Sequence, residues 1–358
     1  MPAFVLLPHP ETYYPCTQDM LRDVEFRNFW LDHFSHHFDL IMELAVQVYG
    51  PESRARADAC AAALRAEMES VRENPAKYGQ LNLQVMGKLR QNILKAHNLP
   101  DPFLLNKRRE NIAMLALYPQ IIADLDRPHP SRTDLETLRL LVEGVFAGNI
   151  FDMGATETAK LFASGSPDFR KVRQSLDGKR PWLVDHFDAF AERLLNGGGY
   201  KKALFFMDNA GSDAVLGVLP LVRWLAARGT QVGLLANESP ALNDMIATEL
   251  RDLLGLICAI DPVMDSLIKG QRITAGSSGG GTPLIDLTDV SEECNAMAAG
   301  ADLVFLEGMG RGLESNFNIS LTTDVVKLCM IKEEIIARRH GGKVFDVVFR
   351  FDRAVNQR

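Results

Sequence analysis

The stretch Lys201-Lys-Ala-Leu-Phe-Phe-Met-Asp-Asn-Ala-Gly-Ser-Asp213 constrains this chain more than any other. Residues 203–207 are continuously apolar, as required of a strand covered on both faces in a parallel sheet. The run stops at two adjacent oxygen-bearing side chains, Asp208 and Asn209, and then reaches Gly211, Ser212 and Asp213. Val215, Leu216, Val218, Leu219, Val222 and Leu225 follow at helical spacing, so strand, turn and helix succeed one another. In open α/β sheets ligands sit beyond the carboxyl ends of the strands. Asp208, Asn209 and Asp213 therefore stand where a site belongs, and a helix N-cap, which needs one such residue, does not account for the group.

The same alternation continues to the end of the chain and predicts an α/β fold with a mostly parallel, Rossmann-like sheet. Gln231 to Ala236 reads as the second strand, with Asn237 to Asp244 as its C-terminal loop. Asp244 lies one β-α-β repeat after Asp208, so neighbouring strands can bring both carboxylates to one rim. Asp302 to Leu306 is a further buried strand ending in Glu307-Gly-Met-Gly-Arg311. A helix is expected from about Thr323 to Arg338, carrying Lys327 and Lys332, and Lys343 to Phe351 is expected to close the sheet. Gly276-Ser-Ser-Gly-Gly-Gly281 reads as a mobile loop.

The preceding half has a different period. From Tyr13 to about Leu195 it reads as mostly helical, with Phe26, Phe29, Trp30, Phe34, Phe38, Ile41 and Leu44 at three- and four-residue steps. Asn196-Gly-Gly-Gly199 is the clearest linker and divides a multihelical region, residues 1–195, from a Rossmann-like domain, residues 200–358. His33 and His37 share a helical face, but the Glu of H-E-x-x-H is missing and Phe34 follows, which favours packing or surface histidines over a metal site. Leu99-Pro-Asp-Pro-Phe103 interrupts the helices. One helical stretch resists a packing explanation. In Gly148-Asn-Ile-Phe-Asp-Met-Gly154, Asn149 and Asp152 fall on one face at the end of an apolar helix, and both are expected to face the cleft.

Composition narrows the function classes. The chain has 358 residues, 47% of them hydrophobic, and a net charge of −7 with no long basic run, which excludes a nucleic-acid footprint. No apolar window of about 20 residues is present to span a bilayer. Five scattered cysteines without C-x-x-C point to reduced thiols and a cytoplasmic setting. Asp and Asn oxygens at strand tips, without His or Cys partners, are hard ligands suited to Mg²⁺ or Mn²⁺. Arg311 together with a lysine can neutralise a phosphate. Metal-assisted phosphoryl transfer fits this set, whereas a P-loop lacks its Lys-Ser/Thr and a haloacid-dehalogenase site lacks its second Asp, the position being Ala210.

The strings Asp208-Asn-Ala-Gly-Ser-Asp213, Leu216-Gly-Val-Leu-Pro220, Ala236-Asn-Glu-Ser-Pro-Ala-Leu-Asn-Asp244 and Glu307-Gly-Met-Gly-Arg311 resemble the metabolite damage-control phosphatases. The branch with the EGMGR string includes stand-alone plant proteins and the C-terminal domain of a kinase-inactive pantothenate kinase. Leu99 to Phe103, Arg109 to Asn111, Ala147 to Asn149, Phe151-Asp152 and Arg180 to Asp185 extend the likeness over nearly the whole chain. The resemblance implies a single divalent cation, Mn²⁺, Co²⁺, Ni²⁺ or Mg²⁺, held by Asp208, Asn209 and Asp244. It implies hydrolysis of small phosphate monoesters, with 4′-phosphopantetheine and its oxidised or damaged forms as substrates. Asp208, Glu307 and Arg311 are the expected catalytic residues. Asp213, Asn149, Asp152, Gly308, Met309, Gly310 and Lys332 are expected at the substrate, with Lys327 competing for the role of Lys332. A small phosphorylated metabolite is then the partner, with no nucleic acid or membrane. The competing readings are a sugar-phosphate phosphatase and a non-catalytic phosphopantetheine- or coenzyme A-binding protein.

Overall fold

A computed structural model describes residues 1–127, 132–150, 169–176 and 179–355. Asp152, one of the expected cleft residues, lies outside the described residues.

The helical half begins with α1 (Val24–Tyr49), whose N-cap Asp23 accepts a hydrogen bond from the Phe26 amide at 3.0 Å. Its buried stripe of Phe26, Trp30, Phe34, Phe38 and Ile41 follows the predicted period and packs on α2 (Arg54–Glu73). Then come α3 (Leu83–Ala96), capped by Asn82, and α4 (Leu104–Asp126). Helix α5 (Asp134–Asn149) opens with a reciprocal Thr133–Glu136 capping box, which satisfies the first-turn amides at its exposed start. Its opposite end is buried from Leu141 to Asn149, so α5 drives Asn149 into the interior.

Seven strands form one sheet: β1 (Val184–Asp185), β2 (Lys202–Phe206), β3 (Gln231–Asn237), β4 (Ile273–Gly279), β5 (Leu303–Glu307), β6 (Asp324–Met330) and β7 (Val347–Asp352). Their order is β1-β7-β6-β5-β2-β3-β4, parallel throughout except between β6 and β7. Strand β2 serves both faces. Ala203, Phe205 and Met207 join a core with α4, α5 and the helix Leu219–Ala227, while Leu204 and Phe206 join a second core with Phe4, Leu287 and Val304. Phe205 stacks on Phe305 with centroids 4.8 Å apart, and each such ring contributes about 1.5–3 kcal/mol by burial. A third core joins α1, α2 and α3 to Leu284, Met309, Leu313 and Ile331 around the loops beyond the strand ends.

Two expectations are corrected. Residues 324–330 form a strand rather than the start of a helix; the helix is confined to Glu334–Arg339. Every residue of β6 is buried, including Lys327, whose ammonium donates to Phe317 O (2.8 Å), Ile319 O (2.6 Å) and Asp352 Oδ2 (2.9 Å). Three acceptors make a lysine tolerable inside a sheet. Likewise most of the glycine-rich stretch is not a loop: Gly276 to Gly279 belong to β4, paired with β3, and only Gly280 and Gly281 lie beyond it. A Cβ at Gly276 would lie 2.4 Å from Met297 Sδ, so glycine there lets the helix Glu292–Ala298 pack closely on the strand.

Candidate active site

Strands β2 and β5 are neighbours, yet the chain leaves β2 towards β3 and leaves β5 towards β6 on the other side. This is the topological switch point of the sheet, where the connecting loops diverge and a crevice opens. Asp208 follows β2, and Glu307 ends β5. Glu307 Oε2 accepts the Asp208 amide at 2.7 Å, fixing the two tips to each other. Gly308 comes next with φ +98, and a Cβ there would sit 2.3 Å from Asp208 Cγ. Glycine is therefore required both by the backbone and by the approach of that carboxylate.

Around this pair the polar groups interlock. Asn149, at the end of α5, directs its amide NH₂ at Asp208 Oδ2 (3.1 Å), Asp213 Oδ2 (2.8 Å) and Glu307 Oε1 (3.0 Å), and its oxygen accepts from the Met330 amide at 3.3 Å. Gly148 makes the approach possible, since a Cβ would fall 2.8 Å from Ser212 O. Asn209 donates through its side chain to Asp208 Oδ2 (2.8 Å) and Asp213 Oδ2 (3.1 Å), which leaves its carbonyl oxygen as the remaining donor atom for a ligand. Asp244 is joined to the first tip by the backbone bridge with Asn209, and its Oδ2 accepts from Asn237 at 2.9 Å. Lys332 Nζ stands 4.0 Å from Asp208 Oδ2. Lys327 belongs instead to the interior of β6.

Arg311 is 1% exposed and turned inward. One terminal nitrogen donates to Asp208 Oδ1 and to Pro283 O (3.1 Å), the other to Asn237 Oδ1 (3.1 Å) and Asp244 Oδ2 (2.7 Å). Burial disfavours its charge, but Asp244 and Asp208 outweigh that and raise its pKa. The terminal N–H groups expected to meet substrate thus hold protein carboxylates. Gly310 is needed where the chain passes Pro283 O, which a Cβ would approach to 2.4 Å; Met309 lines the cleft and its sulfur accepts the Lys332 amide.

Asp208, Asp213 and Glu307 can each place an oxygen within 4.8 Å of the others, and all are buried. Burial, reinforced by the charge of Asp208, raises Asp213 to about 6; burial, with the charges of Asp213 and Asp208, raises Glu307 well above the usual carboxylate range. Asp213 Oδ1 is buried and accepts no hydrogen bond among the described residues. A concentration of hard oxygens with an orphaned acceptor fits a divalent cation. The expected ligands Asp208, Asn209 and Asp244 line the cleft, while Asp213 and Glu307 stand behind them.

The cleft holds about 90 Å³ between these tips and the helical half. His33 and His37, expected as packing or surface residues, line it, their rings 4.6 Å apart and His33 Nδ1 4.0 Å from Glu333. Arg90, which no motif singled out, lines it from α3.

Residues 39–348 match the damage-control phosphatase ARMT1-like domain. A damage-control phosphatase of Arabidopsis thaliana is 33% identical over 90% of this chain and 87% of its own length. A 4′-phosphopantetheine phosphatase of Mus musculus is 30% identical over 97% of this chain. The chain spans 48% of that protein, and 42% and 41% of two plant pantothenate kinase 2 proteins that it matches at 38% and 36% identity. A crystal structure of a DUF89 family protein from Pyrococcus horikoshii superposes with a TM-score of 0.59 at 20% identity, covering 89% of this chain and 96% of the other, and shares the fold. Among the described residues no helix is long and apolar enough to cross a membrane. With a matching domain over most of its length and a relative similar nearly end to end, the chain belongs to the ARMT1-like damage-control phosphatase family.

Proposed function

We propose that this protein is a divalent-metal-dependent phosphatase of small phosphate monoesters, with 4′-phosphopantetheine and its oxidised or damaged forms as substrates. The observation that carries the chemistry is the buried oxygen-rich constellation at the switch point, with Asp208 shared by every grouping of it. The substrate class is supported by the mouse relative named for 4′-phosphopantetheine.

In this reading Asp208, Asn209 and Asp244 hold the cation on the cleft side. When bound, the ion supplies Lewis-acid polarisation of the phosphoryl oxygens. The chain's own groups do the positioning. Glu307 grips the Asp208 amide, and Asn149 holds three carboxylates in register, so the site is organised before substrate arrives. Lys332 lies beside Asp208, where a cation offsets charge developing on the transferred group. Arg311 keeps the Asp208 and Asp244 carboxylates at a fixed separation from each other.

A turnover panel tests the reading: 4′-phosphopantetheine, its oxidised forms and hexose phosphates, each with Mg²⁺ or Mn²⁺ and after chelation. Metal-dependent hydrolysis with a preference for the phosphopantetheine forms is expected. Preference for hexose phosphates would replace the substrate class, and binding of phosphopantetheine without turnover would replace the enzyme by a sensor.

A further inference from the structure

Arg90 is 6% exposed and lines the same cleft as Asp208 and Asp244. Helix α3 presents Leu83, Gly87 and Arg90 to the cleft at i, i+4 and i+7, one continuous face. Gly87 lets that face come close, its Cα standing where even a Cβ would touch Thr282 at 3.3 Å. Arginine is almost never buried without a partner. Yet among the described residues the guanidinium of Arg90 makes no hydrogen bond or ion pair. Among the described residues its cation–π contact is the face of the Phe34 ring, 4.9 Å from the centroid. A ring face attracts a cation but uses none of its five N–H donors. Burial pushes the Arg90 pKa down to about 10, with Asp244 opposing, so at neutral pH the group is charged.

Arg311 is the contrasting case in the same cleft, because its terminal nitrogens already serve Asp208, Asp244, Asn237 and Pro283. We propose that Arg90, rather than Arg311, is the guanidinium that binds the phosphoryl group of the substrate across the cleft from Asp208. The inference rests on the phosphatase reading above and adds the anion subsite to it. A planar fork whose donors lack protein acceptors matches two oxygens of a tetrahedral dianion in parallel, and closing that contact removes the penalty of the buried charge. The Phe34 ring beneath the fork restricts its orientation, so little side-chain freedom is lost on binding.

Inorganic phosphate, the product, is the probe. It is titrated calorimetrically into the Mn²⁺-loaded protein, wild type and Arg90→Met, alongside Mn²⁺ titrations, melting curves of both proteins without metal and kinetics on p-nitrophenyl phosphate. Arg90→Met should weaken phosphate at least tenfold and raise KM by a similar factor, while Mn²⁺ affinity stays within twofold and Tm does not fall. Phosphate affinity equal to wild type, or no phosphate binding by wild type, overturns the proposal. Should Arg90→Met fail to fold, Arg90→Gln is read by the same criteria. If wild type hydrolyses no monoester but loses phosphate binding on removal of Arg90, the subsite stands and the phosphatase reading falls. If turnover and phosphate affinity both survive Arg90→Met, the reverse holds.

Discussion

The two walls of the cleft are built on opposite rules. On the sheet side, at the tips of β2 and β5, nearly every donor and acceptor is matched within the protein: Asn149 reaches three carboxylates, Glu307 holds the Asp208 amide, and Arg311 bridges Asp208 to Asp244. On the helical side α3 buries Arg90 against a ring, and among the described residues its N–H groups have no acceptor. A matched network specifies one geometry, because each member is costly to leave unpaired. An unmatched charge at the rim of the same network is costly until something outside the protein arrives. In the proposed reading the first wall sets where chemistry occurs, and the second selects what is brought there.

The largest effect expected from breaking the sheet wall is on turnover. If Asp208 holds the cation as proposed, Asp208→Ala removes a carboxylate from it and from Arg311, and kcat/KM should fall at least about 10³-fold, since metal stabilisation is worth several kcal/mol and each 1.36 kcal/mol is tenfold. Calorimetry should show the divalent cation bound weakly or not at all; full activity would remove Asp208 from the mechanism. Next comes stability. Arg311→Met strands Asp208 and Asp244 and should cost about 3–5 kcal/mol in denaturant titration. Arg90→Met strands nothing and should be neutral or stabilising, so equal losses in the two variants would erase the distinction between the walls.

Gly308→Ala sharpens the comparison without touching a charge. The new methyl collides with Asp208 at an unfavourable φ, and displacement of that carboxylate by about 1 Å should lower kcat/KM about 10²-fold while phosphate binding at Arg90 changes little. The smallest effect is a pH dependence of the metal-free protein. Asp213 has a folded pKa of about 6, raised above its unfolded value by burial and by Asp208, so the fold binds its proton more tightly than the unfolded chain. That stabilisation is present at low pH and lost as pH rises through about 6. Chelated protein should therefore gain about 1 kcal/mol between pH 7.5 and 5.5 from this group, an increment that Asp213→Asn should lack.

Much of the sheet wall was legible because its signals are local. A buried strand reads as an unbroken apolar run, and Asp208, Asn209 and Asp213 follow β2 within seven residues of Phe206. Glu307 to Arg311 likewise sits at the end of β5. Strand β6 was missed because Lys327 interrupts its apolar run and because the Glu334–Arg339 helix follows so soon that both fit one helical period; what keeps Lys327 inside are the carbonyls of Phe317 and Ile319 in the preceding turn and the carboxylate of Asp352 on the neighbouring strand β7. Strand β4 was missed because its glycines answer to tertiary neighbours, Gly276 to Met297 on a packed helix and Gly279 to Ser291. The inward turn of Arg311 also depends on acceptors from three other loops. Arg90 carried no signal at all, since a charged residue on an amphipathic helix reads as solvated until Phe34 and the cleft are folded around it.

The Arg311 clasp has a consequence for how this rim can loosen. One guanidinium ties the segment after β2, through Asp208, to the end of β3 and the segment after it, through Asn237 and Asp244, and to the segment after β4, through Pro283. Met245 N adds a backbone bond to Asp208 O between the first two at 2.9 Å. Segments cross-linked at a single buried point cannot fray one at a time, because freeing any of them leaves a charge or a carbonyl unsatisfied in the others. The three rim segments therefore form one cooperative opening unit, and an insertion or deletion in any one of them is felt by all three.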